Sequence, residues 1–258
     1  RRRARDNRRA EMKAAKKSAK SGNAAVILAG GSGSRMRGTV ADKVLEPLGG
    51  MPVILHSFKA FLESGQVSEA VFVCRDAAQK RAISAALKKF FPDFKKAVSV
   101  KFAQGGAERQ DSVLNGLAEI SDKSALAFIH DGARPLVGAE NIVLLAAAAM
   151  RDGAAVLASR VVDTIKRVPP DGSTEKIKPA DLDRSRLWAM QTPQVFRAGA
   201  IENAYKKVKR GKIKITDDVA AYVLDGSKIS IVENPNPNPK ITVPQDIAYV
   251  EFLKSRIQ

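Results

Sequence analysis

Short, continuously apolar runs that alternate with stretches of helical spacing constrain this chain more than any other feature. The first, AAVILAGG, begins at Ala24 and ends in glycines, and a run without polar alternation is what a strand buried on both faces requires. Similar runs occupy residues 69–74, 98–103, 125–130, 154–159 and 229–233, and helix-like stretches lie at 54–63, 77–90, 109–119, 139–150, 198–208 and 215–224. Strands separated by helices predict βαβ units and a doubly wound, mainly parallel α/β sheet, with any active site at the carboxyl ends of the strands. Residues 161–177, VVDTIKRVPPDGSTEKI, break the rhythm. Period-two alternation on either side of a Pro-Pro-Asp-Gly-Ser turn predicts a protruding β-hairpin there. A lone two-stranded arm is marginal in water, so it is expected to pack on another subunit or fold over the site.

At 258 residues the chain is long enough for one large α/β domain, expected over 24–258, behind a basic tail at 1–23 that is expected to be disordered. Ten Lys or Arg against Asp6 and Glu11 give the tail +8 of the net charge of +17. The tail lacks the apolar h-region of a secretory signal, and the missing initiator Met raises the expectation that the natural chain begins further upstream. Three readings of it stay open: a solvated tail or expression remnant, a contact with nucleic acid or an acidic partner, and an organelle-targeting remnant. An aromatic content of 5% offers few platforms for stacked bases, which argues against nucleic acid as the partner of the remaining chain. The single Cys74, expected in a strand core, leaves no intrachain disulfide and no cysteine-based metal cluster and suits a reducing compartment. No apolar stretch reaches the roughly 20 residues of a membrane helix, so no membrane partner is expected. These negatives point to the cytoplasm, with a plastid stroma as the alternative if the tail is a trimmed transit peptide.

The first strand runs straight into Leu28-Ala29-Gly30-Gly31-Ser32-Gly33-Ser34-Arg35-Met36. Glycines let backbone N–H groups approach a triphosphate that side chains would otherwise block, so Gly30, Gly31 and Gly33 form a candidate phosphate cradle. The segment matches neither a P-loop nor a dinucleotide fingerprint, and a plain strand-to-helix turn is the competing reading. Arg35, and Lys43 eight residues on, add two cations that could neutralise charge building on an α-phosphate and a pyrophosphate leaving group.

LAGGSGSRM followed by a lysine resembles the signature of the sugar-nucleotide and alditol-phosphate nucleotidyltransferases. Six further segments, in order, narrow the resemblance: GGAERQDSVLNGL (105–117), HDGARP (130–135), DTIKR (163–167), DRSRLWAMQTPQVF (183–196), ITDD (215–218) and KITVPQD (240–246). Together they are similar to the methylerythritol-4-phosphate cytidylyltransferases, from Ala24 to about Phe252. The resemblance implies a Rossmann-like fold of the nucleotide-diphospho-sugar transferase type, with a β-arm at about 161–182 exchanged in a homodimer. It implies in-line attack by the acceptor's phosphate oxygen on the α-phosphorus of CTP, giving a CDP-alditol and pyrophosphate.

The site residues follow from the same matches. Arg35 and Lys43 match the transition-state stabilising pair. Asp131 matches the aspartate that helps hold Mg²⁺, a hard ion suited to carboxylate oxygen; without the match it would read as a turn or helix cap. Ser112 with the backbone of Gly106, Ala107, Ala29 and Gly30 matches the cytosine pocket, and Arg109 is expected to brace that loop; helix capping is the competing explanation there. Thr164, Arg184 and Lys240 match residues that bind and position the methylerythritol phosphate, the first two from the partner's arm. Thr192 is expected at the same site, on a loop held by Pro193. Asp217 and Asp218 are expected to cap the following helix rather than act in catalysis, and His130 to be a packed strand residue.

Two positions depart from the family pattern: Gly132 replaces the usual alanine or serine, and Pro237-Asn238-Pro239 precedes Lys240 where an acidic and an apolar residue are common. The second weakens the choice of methylerythritol over other alditol phosphates, and ribitol-5-phosphate cytidylyltransferases, which share most of these motifs, are the second reading. A non-catalytic protein that binds nucleic acid through its basic tail is the reading from a different class.

Overall fold

The computed structural model describes residues 22–30, 42–172, 174–175 and 177–257. Gly31, Gly33 and Arg35 of the expected phosphate cradle, and residues 1–21 of the tail, lie outside the described residues.

The elements, in order, are β1 (Ala24–Leu28), β2 (Pro47–Leu48), β3 (Met51–Pro52), α1 (Val53–Ser64), β4 (Glu69–Cys74), α2 (Ala77–Phe90), β5 (Ser99–Gln104), α3 (Arg109–Ala118), β6 (Leu126–Asp131), α4 (Ala139–Asp152), β7 (Ala154–Arg160), β8 (Lys166–Arg167), β9 (Ala180–Asp181), β10 (Trp188–Arg197), α5 (Ala198–Gly211), α6 (Asp218–Tyr222), β11 (Ser230–Glu233) and α7 (Gln245–Ile257). Seven strands form one sheet in the order β11-β7-β10-β6-β1-β4-β5. All its pairings are parallel except those of β10, which runs antiparallel to β6 on one side and β7 on the other.

The apolar runs become strands because both faces of the sheet are covered. Within β1, Ala25 and Ile27 face a core with Phe58 and Phe61 of α1, Leu87 of α2 and Leu145 of α4, while Ala24, Val26 and Leu28 face Val113 of α3 with Ile201 and Tyr205 of α5. The helices start and stop where local chemistry satisfies their ends. The Asp76 side chain accepts from Gln79 N at the start of α2, Glu108 and Asp111 form a capping box on α3, and Gly65 turns left-handed to end α1. Gly116 lets α3 sit close on the sheet: a Cβ there would meet Val26 Cγ1 at 2.5 Å and Val73 Cγ2 at 2.7 Å.

Strand β10 was not foreseen, because Pro193 removes a ladder donor and reads as a loop. The chain accommodates it at a register shift between Met190 and Gln194. The expected hairpin is a two-residue ladder, Lys166 opposite Asp181 and Arg167 opposite Ala180. Gly172 N does bond back to Pro169 O at the foreseen turn, and the returning strand lies beyond the 161–177 hairpin but within the arm expected at about 161–182. The arm is exposed, with Val162, Ile165 and Val168 facing outward. The final helix α7 lies beyond the last helical stretch expected at 215–224.

Candidate active site

In the sheet, β1 pairs β4 on one side and β6 on the other, so the strand order reverses at the β1/β6 boundary and a crevice opens at their carboxyl ends. A cavity of about 440 Å³ lies beside it, at the carboxyl ends of β1, β4 and β5, lined by Gly30, Arg75, Gly105, Gly106, Ala107, Glu108, Arg109 and Ser112. Gly30 comes after β1, Arg75 directly after β4 and Gly105 directly after β5, while Arg109 and Ser112 come from the first turn of α3.

The 105–112 loop is held from within. The Ser112 hydroxyl accepts from Gly106 N at 3.0 Å and donates to Glu108 O at 3.2 Å, and a Cβ on Gly106 would meet Asp111 Cβ at 2.2 Å. Ser112 is buried, so the expected base-reading hydroxyl also ties its own loop. The capping role weighed against it is present as well, carried by Glu108 and Asp111. Across the cleft, Ala29 N and Gly30 N both donate to Val73 O, at 2.9 and 3.0 Å, and Ala29 O accepts from Gln79 Nε2 at 3.2 Å. The Ala29 and Gly30 amides are therefore engaged in anchoring the end of β1 to the end of β4.

Asp131 ends β6, opposite Leu28 of β1. Its Oδ2 accepts from Lys240 Nζ at 2.7 Å, Arg109 Nε lies 3.6 Å from Oδ1, and Arg134 Nε lies 4.0 Å from Oδ2. Burial pushes this carboxyl up, but Arg109, Lys240 and Arg134 outweigh burial and hold it well below the usual carboxylate range. Arg109, which burial would discharge, is kept charged by Asp218 and Asp131. Its guanidinium meets both oxygens of Asp218 at 2.8 Å, and Tyr205 donates its hydroxyl to the same carboxylate. Asp218 is thus the buried partner of Arg109 rather than half of a capping pair; Asp217 alone caps α6, accepting from Ala220 N at 2.9 Å.

Thr192 lies in β10 and not in a loop, and only 4% of it is exposed. Its hydroxyl accepts from Asp131 N at 3.1 Å and pairs with His130 Nδ1 at 3.1 Å, so it holds the backbone at the end of β6 that carries the carboxylate. His130 is fully buried in β6, as expected, and burial lowers its pKa to about 4. Cys74 is buried in β4, where burial pushes its thiol up to about 12. Lys43 donates to Ile241 O at 3.0 Å. Thr164 and Arg184 sit exposed on the arm, where Arg184 donates to Val162 O.

Two further cations, outside the expected site residues, stand at the site. Arg75 lines the cleft and bridges Asp42 at 3.3 Å and Asp76 at 2.8 Å, and Arg134 donates Nη1 to Asn238 O at 2.7 Å. Their signal was position: Arg75 is the first residue past a buried strand, and Arg134 lies in the turn after β6. The departure at Gly132 has a local cause, since a Cβ there would press on Ile54 Cγ1 at 2.9 Å and Leu28 O at 3.0 Å. Among the described residues no three His, Cys, Asp or Glu side chains cluster as a metal cage, and no helix is long and apolar enough to cross a membrane.

Residues 23–256 match the family model described as 2-C-methyl-D-erythritol 4-phosphate cytidylyltransferase. The chloroplastic protein of that name from Oryza sativa subsp. japonica is 39% identical over 228 residues, 88% of this chain and 73% of the relative. The one from Geobacillus thermodenitrificans is 37% identical over 234 residues, 90% of this chain and 97% of the relative. Among solved structures, 4-diphosphocytidyl-2C-methyl-D-erythritol synthase from Anaerococcus prevotii shares the fold at a TM-score of 0.77, with 24% identity over 92% of this chain and 99% of the other. The 2-C-methyl-D-erythritol 4-phosphate cytidylyltransferase from Thermus thermophilus superposes at 0.68, with 26% identity over 90% of this chain and 98% of the other.

Proposed function

The chain belongs to the family of 2-C-methyl-D-erythritol 4-phosphate cytidylyltransferases, and on that premise we propose how its cleft carries the reaction. The enzyme is a nucleotidyltransferase that moves the cytidylyl group of CTP to 2-C-methyl-D-erythritol 4-phosphate, a step toward isoprenoid precursors that releases pyrophosphate. The observation that carries the site assignment is the convergence of Lys240, Arg109 and Arg134 on Asp131 at the crevice where the strand order reverses.

Cytosine is read in the loop of Gly106, Ala107 and Ser112, whose internal bonds fix its shape before the base arrives, while Arg109 braces the loop against α6. The triphosphate lies along Gly30, Gly31 and Gly33. A phosphate oxygen of the acceptor, already anionic and needing no general base, forms a bond to the α-phosphorus. The bond from that phosphorus to the bridging oxygen breaks, and its electron pair leaves on pyrophosphate. Arg35 and Lys43 oppose the charge that builds on the α-phosphate and the leaving group, and Lys240 with Arg184 holds the acceptor phosphate near a triphosphate that repels it. Thr164 and Arg184 belong to the arm of a second subunit, so the working form is a homodimer. Thr192 acts through Asp131.

One carboxylate without a metal cage suits an ion held mostly by substrate phosphates and water, as Mg²⁺ is. Asp131 would hold it, and bound there it would offset triphosphate charge. The reducing compartment that one buried cysteine suits, cytoplasm or plastid stroma, belongs to the same proposal.

The test is pyrophosphate release from CTP and Mg²⁺ with methylerythritol 4-phosphate or ribitol 5-phosphate offered separately. Methylerythritol phosphate is expected to be the acceptor, and Lys43→Ala to lower turnover by about 10²- to 10³-fold, as loss of a transition-state charge partner does. Preference for ribitol phosphate would move the assignment to the ribitol-5-phosphate enzymes.

A further inference from the structure

The two lysines of the proposed mechanism are joined by one short stretch of chain. Lys240 reaches Asp131 at 2.7 Å, and the neighbouring Ile241 carbonyl accepts from Lys43 Nζ at 3.0 Å. Ile241 itself is fully buried, and its N–H donates to Ala133 O at 2.9 Å, two residues beyond Asp131. The direction of the Ile241 carbonyl and the reach of Lys240 therefore depend on what fixes the backbone just after them.

A single carboxylate fixes it. Asp246 Oδ2 accepts from Thr242 N at 2.6 Å, Thr242 Oγ1 at 2.8 Å and Val243 N at 2.9 Å. The turn is closed from the other side by Asp246 N, which donates to Val243 O at 3.1 Å, and by Ile247 N, which donates to Pro244 O at 3.1 Å. Burial would raise the Asp246 carboxyl, but these donors and the nearby Lys43 charge hold it below its ordinary range. Asp246 lies in the first turn of α7, so it ties the start of that helix to the segment that carries both lysine contacts.

We propose that Asp246 is a positioning residue for the transfer step, setting Lys240 against Asp131 and Lys43 against the Ile241 carbonyl through one turn at residues 242–243. The assignment rests on the catalytic reading of Lys43 and Lys240 given above. It adds a residue that touches neither substrate and holds both cations in register.

The experiment measures kcat, both KM values and the melting temperature for wild type, Asp246→Asn, Thr242→Val, Lys240→Ala and the Asp246→Asn/Lys240→Ala double variant. Asp246→Asn is expected to lower kcat by about 10- to 100-fold, the cost of small misplacements of catalytic groups. Thr242→Val, which removes one donor and keeps the two backbone ones, is expected to lower it in the same direction by less. In the double variant the two losses should multiply only in part, since Asp246 acts through Lys240 as well as Lys43; a general loss of folding would leave them independent. An active wild type with unchanged kcat in Asp246→Asn overturns the positioning role alone, as do losses that multiply fully. If Asp246→Asn does not fold, Thr242→Val and its double variant with Lys240→Ala decide: unchanged kcat or losses that multiply fully overturn the role, and a reduced kcat that multiplies only in part supports it. A wild type silent with CTP and methylerythritol 4-phosphate overturns the catalytic reading beneath it.

Discussion

Asp218 lies wholly out of reach of solvent, and its two oxygens meet the Arg109 guanidinium at 2.8 Å each. A planar fork on a carboxylate is directional, so Arg109 cannot drift toward Asp131 or away from the cleft wall without breaking it. Asp218→Ala removes the shared partner of the half-buried Arg109 and the buried Tyr205 hydroxyl, leaves Arg109 with Asp131 alone, and is expected to cost about 1–3 kcal/mol in denaturant unfolding, together with a raised KM for CTP. His130 carries a pH signature of its own. Its folded pKa is lowered from 6.5 to about 4 by burial, so between those values the unfolded chain takes up a proton that the folded chain refuses. Stability should therefore fall as pH is lowered from 6.5 toward 4, by roughly 3 kcal/mol at most for this group. His130→Gln should flatten that part of the curve. Asp131 adds a second loss at lower pH, because its depressed carboxyl stabilises the fold only while ionised.

Among the elements, α3 is the one most tightly seated. Gly116→Ala would gain about 1 kcal/mol of helix propensity, yet its Cβ would stand 2.5 and 2.7 Å from two stiff, buried valine methyls. Overpacking of about 1–3 kcal/mol should win, seen as a lowered melting temperature. The parallel strands and their helices were legible because a strand buried on both faces leaves an uninterrupted apolar run, as in Glu69–Cys74, and because helices on such a sheet are one-sided. β10 escaped because its first half is exposed and its middle carries Pro193, so neither run nor alternation survives. At the site, Asp131, Lys240 and the Gly106 loop could be found from motifs that sit at strand ends. The Arg109–Asp218 pair could not, since 109 residues separate the partners and nothing local marks either as the other's mate.

Across the whole molecule, the exposed arm with Val162, Ile165 and Val168 is the feature a single copy leaves unexplained. If two copies exchange it, replacing residues 165–181 by a short Gly-Ser linker should yield monomers in light scattering and raise KM for the acceptor more than for CTP. The arm emerges between β7 and β10, and β10 then runs back through the sheet to lie between β7 and β6. During synthesis this imposes an order of events. A ribosome that has released everything up to Leu187 has made every parallel strand except β11, yet the slot between β6 and β7 has no occupant until Trp188–Arg197 emerges. Until then the nascent chain shows two open strand edges in the middle of its sheet. Its most vulnerable period for aggregation and chaperone capture therefore comes late, after most of the apolar chain has left the tunnel.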